Sequence, residues 1–269
     1  NFKLLCLPAS KKGHLIFKFS VLSSGSRGNC IYVESDAAKI IIDSGLSVKE
    51  LGRRLQSIDR TPEELDAVFL THEHSDHIGG VGPLVRKYSM PLYATNGTIQ
   101  AGQKLGSVPV FNPIRPGETV QLDGLEIEPY STSHDAQESV AYVIRCQNRK
   151  LGHATDMGMV THEVREILKN SHVLLLESNH DVEMLDVGPY SWALKKRIKS
   201  NLGHLSNEAC GELLAEIKHE YLQRVVLMHL SQTNNHPEIA HVTALQALGS
   251  HTPILSLADQ NQPTELIEV

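Results

Sequence analysis

The sequence predicts an α/β protein of four layers, in which two mixed β-sheets lie face to face between outer helices. Short apolar segments rich in Ile, Val, Phe and Tyr alternate with turns from about residue 17 and are typical of strands. Amphipathic helices follow these strands in each half of the chain, in roughly the same order. Helices outside two packed sheets are the simplest way to bury both faces of each sheet, so these observations together predict an αββα sandwich.

The first half begins with three predicted strands, FKFSVLSS, NCIYVES and KIIIDSG. The segment VKELGRRLQSI has apolar residues every three or four positions and predicts an amphipathic helix. It is followed by the strand DAVFLT, a helix over residues 77–88 and the short strands PLYAT and VPVFN. The segment ETVQLDGLEIEPYSTSH predicts a hairpin, because Asp-Gly favours a tight turn between two strands.

The second half continues with two strands in SVAYVIRCQNRKLGHATD and a helix over residues 160–170. It then contains the strand HVLLLES, helices near 190–200 and 206–220, the strand RVVLMHL, a helix over 237–248 and the strand PILSLAD. No linker, charge block or fixed repeat divides the chain, so residues 17–269 are expected to form a single domain. Residues 1–16 are expected either to add a strand or to be an extension foreign to the domain.

Composition limits the class of protein. Of the 269 residues, 41% are hydrophobic and 21% charged, as in soluble globular proteins, and no apolar run is long enough to span a membrane. The net charge of −6 disfavours a broad basic DNA-coating face, but leaves open a nucleic-acid enzyme whose metal ions supply positive charge. The four cysteines lack CxxC spacing and the opening segment is a poor signal peptide, so a reducing, cytoplasmic location is expected.

The densest group of potential metal ligands is THEHSDH at residues 71–77, directly after the strand DAVFLT. His72 and His74 are two residues apart in an extended segment, so both imidazoles point to the same side. Asp76 and His77 follow where the chain turns into a helix, and they can face a second position. Three nitrogens and one carboxylate suit Zn²⁺ or a similar borderline ion. A polar surface loop is the alternative, but four potential ligands within six residues favour a metal site.

Four further candidate ligands each follow the end of another predicted strand. One loop cannot complete two tetrahedral sites, so partners from elsewhere in the chain are needed. A single Asp or His at such a place is usually a turn or cap residue. The repeated placement after apolar strands instead indicates a set, which consists of Asp43, His134, Asp156 and His229.

The order of these residues resembles the five sequence motifs of the metallo-β-lactamase family over roughly residues 17–269. More narrowly, SVLSSGSRGNCIYVES, THEHSDHIGGV, YSTSHDA and HLSQTNN resemble the YycJ/WalJ group of that family, whose members are regarded as DNA exonucleases acting from 5′ ends. The resemblance implies two divalent metal ions, Zn²⁺ or Mn²⁺, and His and carboxylate sites also accept Fe²⁺. The implied ligands are His72, His74 and His134 for one ion, Asp76, His77 and His229 for the other, and Asp156 as a bridge. Asp43 is implied to lie beneath the loop of residues 71–77, called the metal loop below, and to orient histidine N–H groups.

The segment GHLSNEACGELLAE at 203–216 resembles one found in the tRNA 3′-endonucleases of this fold. The resemblance implies that His204 reaches the scissile phosphate, where it assists the leaving group or clamps the phosphate. Glu177 is expected to orient His204, with Asn179, His180 and Asp181 as alternatives. The catalytic candidates are therefore His204, Glu177 and the metal ligand Asp76. The plainer alternatives are a surface histidine at a helix start and an ordinary strand-end carboxylate.

Substrate-binding candidates come from three places in the sequence. The SSGSRGN loop at 23–29 can present backbone N–H groups to an anion, although loops of this composition commonly have no such role. Residues after the strand HVLLLES lie beside the candidate Glu177. A basic cluster of Lys195, Lys196, Arg197 and Lys199 precedes His204 and is either a phosphate contact or a solvated face. The candidates are Ser24, Ser26, Asn29, Asn179, His180 and Lys196.

The sequence thus favours a metal-dependent phosphodiester hydrolase, most specifically a 5′ to 3′ DNA exonuclease that uses a hydroxide bridging two metal ions. The alternatives are an RNA-processing or small-diester phosphodiesterase and then a thioester hydrolase, because the same hydroxide attacks a carbonyl carbon. The last alternative is a non-catalytic adaptor in which the metal only stabilises the fold. Nucleic acid is the expected partner, with DNA favoured over RNA. A homodimer is compatible with this fold, but no apolar stripe in the sequence marks an interface.

Overall fold

The computed structural model describes residues 16–269, so the expectation for residues 1–16 lies outside the described residues except at Ile16. Two seven-stranded sheets pack against each other. Helices cover the outer face of each sheet. The predicted four-layer αββα sandwich is therefore confirmed.

The first sheet is antiparallel at one end and parallel at the other. Its strands are β1 (Phe17–Ser23), β2 (Cys30–Ser35), β3 (Lys39–Ile42), β4 (Ala67–Phe69), β5 (Leu92–Ala94), β6 (Phe111–Pro113) and β14 (Ile267–Glu268). They lie in the spatial order β14-β1-β2-β3-β4-β5-β6. Strands β3 to β6 run parallel to one another, so their carboxyl ends meet at one edge of the sheet.

The second sheet repeats this arrangement. Its strands are β7 (Val120–Leu122), β8 (Leu125–Ser131), β9 (Val140–Cys146), β10 (Arg149–Ala154), β11 (Val173–Glu177), β12 (Arg224–Met228) and β13 (Ile254–Leu257). They lie in the order β13-β12-β11-β10-β9-β8-β7. Strands β10 to β13 are parallel, which again brings a row of strand carboxyl ends together.

Nine α-helices occur among residues 16–269. The helices of the first half are α1 (Val48–Gln56), α2 (Ser75–Ile78), α3 (Val81–Tyr88) and α4 (Asn96–Ala101). Those of the second half are α5 (His162–Leu168), α6 (Val182–Val187), α7 (Trp192–Ile198), α8 (Asn207–Ile217) and α9 (Pro237–Leu248). Short 3₁₀ turns lie at Pro62–Glu64 and Gln103–Leu105. Across the described range, no helix combines the length and the apolar composition that crossing a bilayer requires.

Three apolar layers hold the sandwich together. Phe19 and Ile42 of the first sheet pack against Tyr142 and Val226 of the second, and all four are fully buried. Helices α1 and α3 pack on the outer face of the first sheet, and α5, α8 and α9 pack on that of the second. Burying both faces of both sheets leaves the strand-end edge as the place where polar side chains collect.

Four elements differ from the sequence-based expectation. The helix predicted over 77–88 is two helices, α2 and α3, because the chain passes too close to its neighbours at Gly80. A Cβ there would lie 1.7 Å from the carbonyl oxygen of Leu46. The elements α4, α6 and β14, which are six, six and two residues long, were not predicted from the sequence. Such short segments carry little periodic pattern, and β14 forms only by pairing with the distant β1.

Candidate functional site

The site lies where the carboxyl ends of parallel strands from both sheets meet. Asp43 follows β3, residues 71–77 follow β4, Asp156 follows β10, and His229 follows β12. Asp43, Asp156 and His229 have left-handed backbone, with φ of 59°, 56° and 56°. This conformation costs about 1–3 kcal/mol for a residue other than glycine, so the surrounding structure must enforce it. The sharp turns at these strand ends direct polar side chains into a shared space.

Three histidines form the first donor cluster. Nδ1 of His74 lies 3.1 Å from Nε2 of His72 and 3.2 Å from Nε2 of His134. The other nitrogen of His134, Nδ1, donates to the carbonyl oxygen of Gly203 at 3.0 Å. This bond fixes the ring so that Nε2 faces its two neighbours with a free lone pair. Three imidazole nitrogens therefore converge on one point.

Asp76, His77 and His229 form the second donor cluster. Nε2 of His77 lies 3.4 Å from Asp76 Oδ2, and Nε2 of His229 lies 3.8 Å from the same oxygen. Asn29 donates from Nδ2 to Asp76 Oδ2 and also lies 3.1 Å from His77 Nε2. One carboxylate oxygen and two imidazole nitrogens are thus presented together beside the first cluster.

Asp156 lies between the two clusters. Its Oδ2 is 3.3 Å from His77 Nε2 in the second cluster, and its Oδ1 is 4.0 Å from His134 Nε2 in the first. Oδ2 is buried and has no hydrogen-bond partner among residues 16–269. A buried carboxylate oxygen without a partner is costly, and a cation between the clusters would satisfy it. This donor set fits divalent metal ions.

The electrostatics of the site favour added positive charge. Burial lowers the pKa of His229, but the neighbouring carboxylates of Asp156, Asp76 and Glu177 outweigh burial and raise it to about 10. Burial also holds the pKa of His72 well below its ordinary value, with further lowering from the neighbouring His77. The imidazole of His72 is therefore neutral at pH 7, while the nearby carboxylates favour a cation in the site.

Asp43 and Thr71 support the metal loop from beneath. Asp43 Oδ2 accepts from His77 Nδ1 at 2.8 Å and from Thr71 Oγ1 at 2.8 Å, and Oδ1 accepts from the Thr71 N–H at 2.9 Å. Asp43 thus makes the contact with a histidine N–H group, that of His77, which its expected orienting role requires. Gly45 packs against the same loop, and a Cβ there would lie 1.8 Å from the carbonyl oxygen of Asp76. Only glycine allows this close approach.

His204 and Glu177 form a hydrogen-bonded pair next to the clusters. Nδ1 of His204 donates to Glu177 Oε1 at 2.7 Å, and Met157 N donates to Oε2 at 2.9 Å. Glu177 is fully buried, whereas the His204 side chain is 20% exposed. Burial raises the pKa of Glu177, but His204 and His229 outweigh it and leave the pKa lowered. An ionised carboxylate therefore holds the ring of His204, and leaves its Nε2 available to a substrate.

Asn179, His180 and Asp181, the alternatives to Glu177, make no hydrogen bond to the ring of His204. Asn179 donates to the carbonyl oxygen of His229, and Asp181 accepts from Met184 N as the N-cap of α6. His180 is buried, and its Nδ1 has no partner in the described part of the chain.

The remaining substrate-binding candidates divide by exposure. Ser24 is buried and accepts from His229 N at 2.7 Å, and Asn29 contacts Asp76. Both therefore contact residues of the second donor cluster in this structure. Ser26 and Lys196 are exposed, as substrate contacts must be.

Two residues at the site were not predicted from the sequence. Asp135 Oδ1 lies 3.5 Å from His134 Nε2 and 3.9 Å from His74 Nε2, and Oδ2 accepts from Arg197. Thr71 contacts Asp43 and lies 3.0 Å from His72 Nδ1. Asp135 directly follows a candidate ligand and Thr71 opens THEHSDH, so proximity in sequence was the available signal.

The two packed sheets, with a histidine- and aspartate-rich site at their shared edge, define a protein of the metallo-β-lactamase fold. Residues 38–230 match the family model described as beta-lactamase superfamily domain. Exodeoxyribonuclease WalJ from Streptococcus pneumoniae is 42% identical over 237 residues, which cover 86% of this chain and 88% of that protein. Exodeoxyribonuclease YycJ from Bacillus anthracis is 38% identical over 233 residues, with the same shares. The chain therefore belongs to the beta-lactamase superfamily and, within it, to the WalJ/YycJ group.

Solved structures show the same fold at lower sequence identity. The metallo-β-lactamase-fold protein YhfI from Bacillus subtilis superposes with a TM-score of 0.71 at 19% identity, over 93% of this chain and 99% of that one. The short form of human tRNase Z superposes with a TM-score of 0.64 at 13% identity, over 94% and 100%. At these identities the likeness concerns the fold alone.

Proposed function

We propose that this protein is a metal-dependent exodeoxyribonuclease that removes nucleotides from 5′ ends of DNA. The observation that carries the proposal is the His204–Glu177 pair, with 2.7 Å between Nδ1 and Oε1, beside the two donor clusters. Departure of an alkoxide from a phosphodiester needs a proton, and a carboxylate-held histidine can supply it. The relatives named exodeoxyribonuclease support DNA as the substrate.

In this proposal the two donor clusters hold two divalent cations. The cations are Zn²⁺ or Mn²⁺, with Fe²⁺ also compatible with histidine and carboxylate ligands. When bound, they supply a hydroxide nucleophile at neutral pH and neutralise charge that builds up on the phosphate. The ligands are His72, His74 and His134 in the first cluster, Asp76, His77 and His229 in the second, and Asp156 between them.

The protein's own groups then position the substrate and move one proton. Glu177 keeps the ring of His204 in one orientation through Nδ1, so Nε2 faces the departing oxygen and gives it a proton. Asp43 holds His77 through Nδ1 in the same manner, which keeps Nε2 directed at the site. These buried carboxylates preorganise the two rings before substrate arrives.

The location is proposed on the basis of cysteine chemistry. Cys30, Cys146 and Cys210 are free and buried. Thiols that remain unpaired are typical of a reducing compartment, so we place the protein in the cytoplasm, where chromosomal DNA is accessible in bacteria.

The test is a cleavage assay with Mn²⁺ or Zn²⁺ on duplex DNA, single-stranded DNA and RNA. Each strand is labelled at its 3′ end and carries either a 5′-phosphate or a 5′-hydroxyl. A ladder that shortens stepwise from the 5′ end of DNA supports the proposal. Internal cuts, or cleavage of RNA alone, would overturn it.

The control variant is His204→Ala, since the side chain of His204 makes a hydrogen bond to Glu177 and to no other side chain among residues 16–269. Loss of DNA cleavage with retained metal content assigns the activity to this site rather than to a contaminating nuclease. Full activity of the variant would refute the role of the His204–Glu177 pair.

A further inference from the structure

An exposed aromatic and three lysines share one face of α7. Trp192, Lys195, Lys196 and Lys199 are spaced i, i+3, i+4 and i+7, which is the spacing of one helix face. Trp192 is 77% exposed, although burial of such a large apolar side chain is strongly favourable. We propose that this face, the α7 platform, binds a single-stranded segment of the nucleic acid substrate. This proposal rests on the proposed nuclease function and adds the place where the strand is held.

The platform surrounds a concavity of about 330 Å³, which Trp192, the three lysines, Asp186 and Ser200 line. Its volume lies within the range of sites that take small molecules, and it can therefore receive a nucleobase. Lys195 donates to the carbonyl oxygen of Asp186, and Lys199 pairs with the Asp186 carboxylate. Lys196 has no partner in the described part of the chain and is exposed. At least one cation is therefore available for a phosphate.

The platform is joined to the candidate active site through the C-terminal end of α7. Arg197 donates to Asp135 Oδ2, and Asp135 Oδ1 lies 3.5 Å from Nε2 of His134 in the first donor cluster. His204 N donates to the carbonyl oxygen of Ile198, the last residue of the helix. Trp192 is five residues before Arg197, or about 7.5 Å along the helix axis. At ~3.6 residues per turn, Arg197 also lies about 140° around the helix from Trp192, so a strand in the site reaches the platform by passing around the C-terminal end of α7.

The chemistry of the platform fits a nucleic acid strand. A base stacks on the indole of Trp192, and a neighbouring phosphate contacts Lys196. The chain carries a net charge of −6, so a polyanion needs a local cationic path to reach the site. Stacking acts on every base, so the platform holds the strand without reading its sequence.

A second copy of this chain is a poorer occupant. Val187 is 87% exposed and precedes the platform, so the exposed apolar area alone would favour contact between two copies. A symmetric dimer through this face, however, would bring the same lysines of both copies together. Like charges in an interface are strongly unfavourable.

The experiment exploits the fact that Trp192 is the only tryptophan of the chain. Its intrinsic fluorescence therefore reports on the platform alone. The metal-loaded protein is titrated with phosphorothioate 12-mers of dT and of rU, which resist cleavage. Saturable quenching that weakens with added salt supports the proposal, and comparison of the two oligomers distinguishes DNA from RNA. Unchanged fluorescence at oligomer concentrations that bind, as shown by anisotropy of a labelled oligomer, overturns it.

Kinetics provide the second readout. Stacking of one base contributes ~1–3 kcal/mol, so Trp192→Ala is expected to raise KM for single-stranded DNA by about 5- to 150-fold. Trp192→Phe retains an aromatic face and is expected to recover most of this loss. Tyr221→Ala is the matched control, because Tyr221 is another exposed aromatic, at 62%, outside the platform.

The outcomes separate this proposal from the proposed function. An unchanged KM in Trp192→Ala overturns the platform while DNA cleavage by the wild type still supports the nuclease. Quenching by oligomers without any cleavage of DNA refutes the nuclease and supports the platform as a strand-binding site. A change in sedimentation of Trp192→Ala, with no change in KM, overturns the platform in favour of a contact between copies.

Discussion

Replacing Glu177 by glutamine tests the proton transfer at the centre of the proposed function. The variant keeps the size of the side chain but replaces one acceptor oxygen by an NH₂ group. Glu177 Oε1 accepts from His204 Nδ1 at 2.7 Å, and Oε2 accepts from Met157 N at 2.9 Å. His229 Nδ1 also lies 3.3 Å from Oε1. The single oxygen of glutamine cannot accept on both sides, because His204 and His229 approach one oxygen and Met157 approaches the other. If it accepts from Met157, its NH₂ group faces the Nδ1 proton of His204, and the ring must give up that proton or turn away.

The expected magnitude follows from the role assigned to this pair. General acid catalysis contributes typically about 10²–10⁴-fold, so Glu177→Gln should lower kcat on DNA by up to that factor. This corresponds to ~2.7–5.4 kcal/mol at ~1.36 kcal/mol per tenfold change. The loss should depend on the leaving group. A nucleoside alkoxide needs the proton, whereas p-nitrophenolate leaves as a stable anion.

The assay compares 3′-labelled DNA with bis-p-nitrophenyl phosphate for wild type, Glu177→Gln and His204→Ala. We expect a large loss on DNA and a much smaller loss on the nitrophenyl ester in both variants. Glu183→Gln, an exposed change in α6, is the control, and thermal unfolding checks that the buried substitution leaves the fold intact. Equal losses on both substrates would refute proton donation to the leaving group and indicate a role in metal binding or packing.

Four further predictions concern the metal loop and the fold. Asp76→Ala removes a proposed ligand of the second donor cluster, so metal content measured by mass spectrometry should fall from about two ions per chain to about one; two retained ions would refute the assignment. Arg60→Met removes the guanidinium hydrogen bonds that the buried Glu34 accepts at 2.7 and 2.8 Å and leaves, among residues 16–269, only the one from the Tyr32 hydroxyl, so it should cost about 3 kcal/mol in urea unfolding, the lower end for breaking a buried ion pair. Burial raises the pKa of Glu34, but its hydrogen bonds outweigh this and lower it below the ordinary 4.5. The contribution of Glu34 to the free energy of unfolding is therefore fully present above pH 4.5 and is lost as the pH falls through the lower pKa of the folded state. Glu34→Gln should accordingly weaken the decrease of the free energy of unfolding at acidic pH. Gly45→Ala places a Cβ 1.8 Å from a carbonyl oxygen and should destabilise the protein by about 1–3 kcal/mol or more. In Gly52→Ala, in α1, the nearest atom lies 3.6 Å from the new Cβ, so this variant should stabilise the protein by ~0.5–1 kcal/mol. Similar melting temperatures for these two glycine variants would contradict the close approach at Gly45.

The sequence was most informative where the functional residues are neighbours in the chain. His72, His74, Asp76 and His77 lie within six residues, and the end of a strand fixes their directions locally. Asp43 and His229, which the structure brings to the same site, were also predicted, because a polar residue at the end of a buried strand is visible in the hydrophobic pattern. Strand and helix periodicity likewise sufficed for the four-layer fold, since each long element must bury one face.

The sequence was least informative about contacts between segments far apart in the chain. Asn29 is separated by 47 residues from Asp76 and donates to its carboxylate at 3.1 Å. Asp135 and Arg197 are 62 residues apart and pair beside the donor clusters. No local pattern encodes these distances, because they are set by how the two sheets pack and by where their strand ends meet.

By itself the sequence determined which residue types were available and in what order the strands presented them. The tertiary structure decided how they are used. Glu177, and not a neighbouring polar residue, contacts His204, because β11 ends directly beside that ring. The tertiary structure left Trp192 exposed while burying Ile198 of the same helix, because a helix has one face against the core and one toward solvent. Periodicity defines such faces, but only the packing of the helix decides which one remains open.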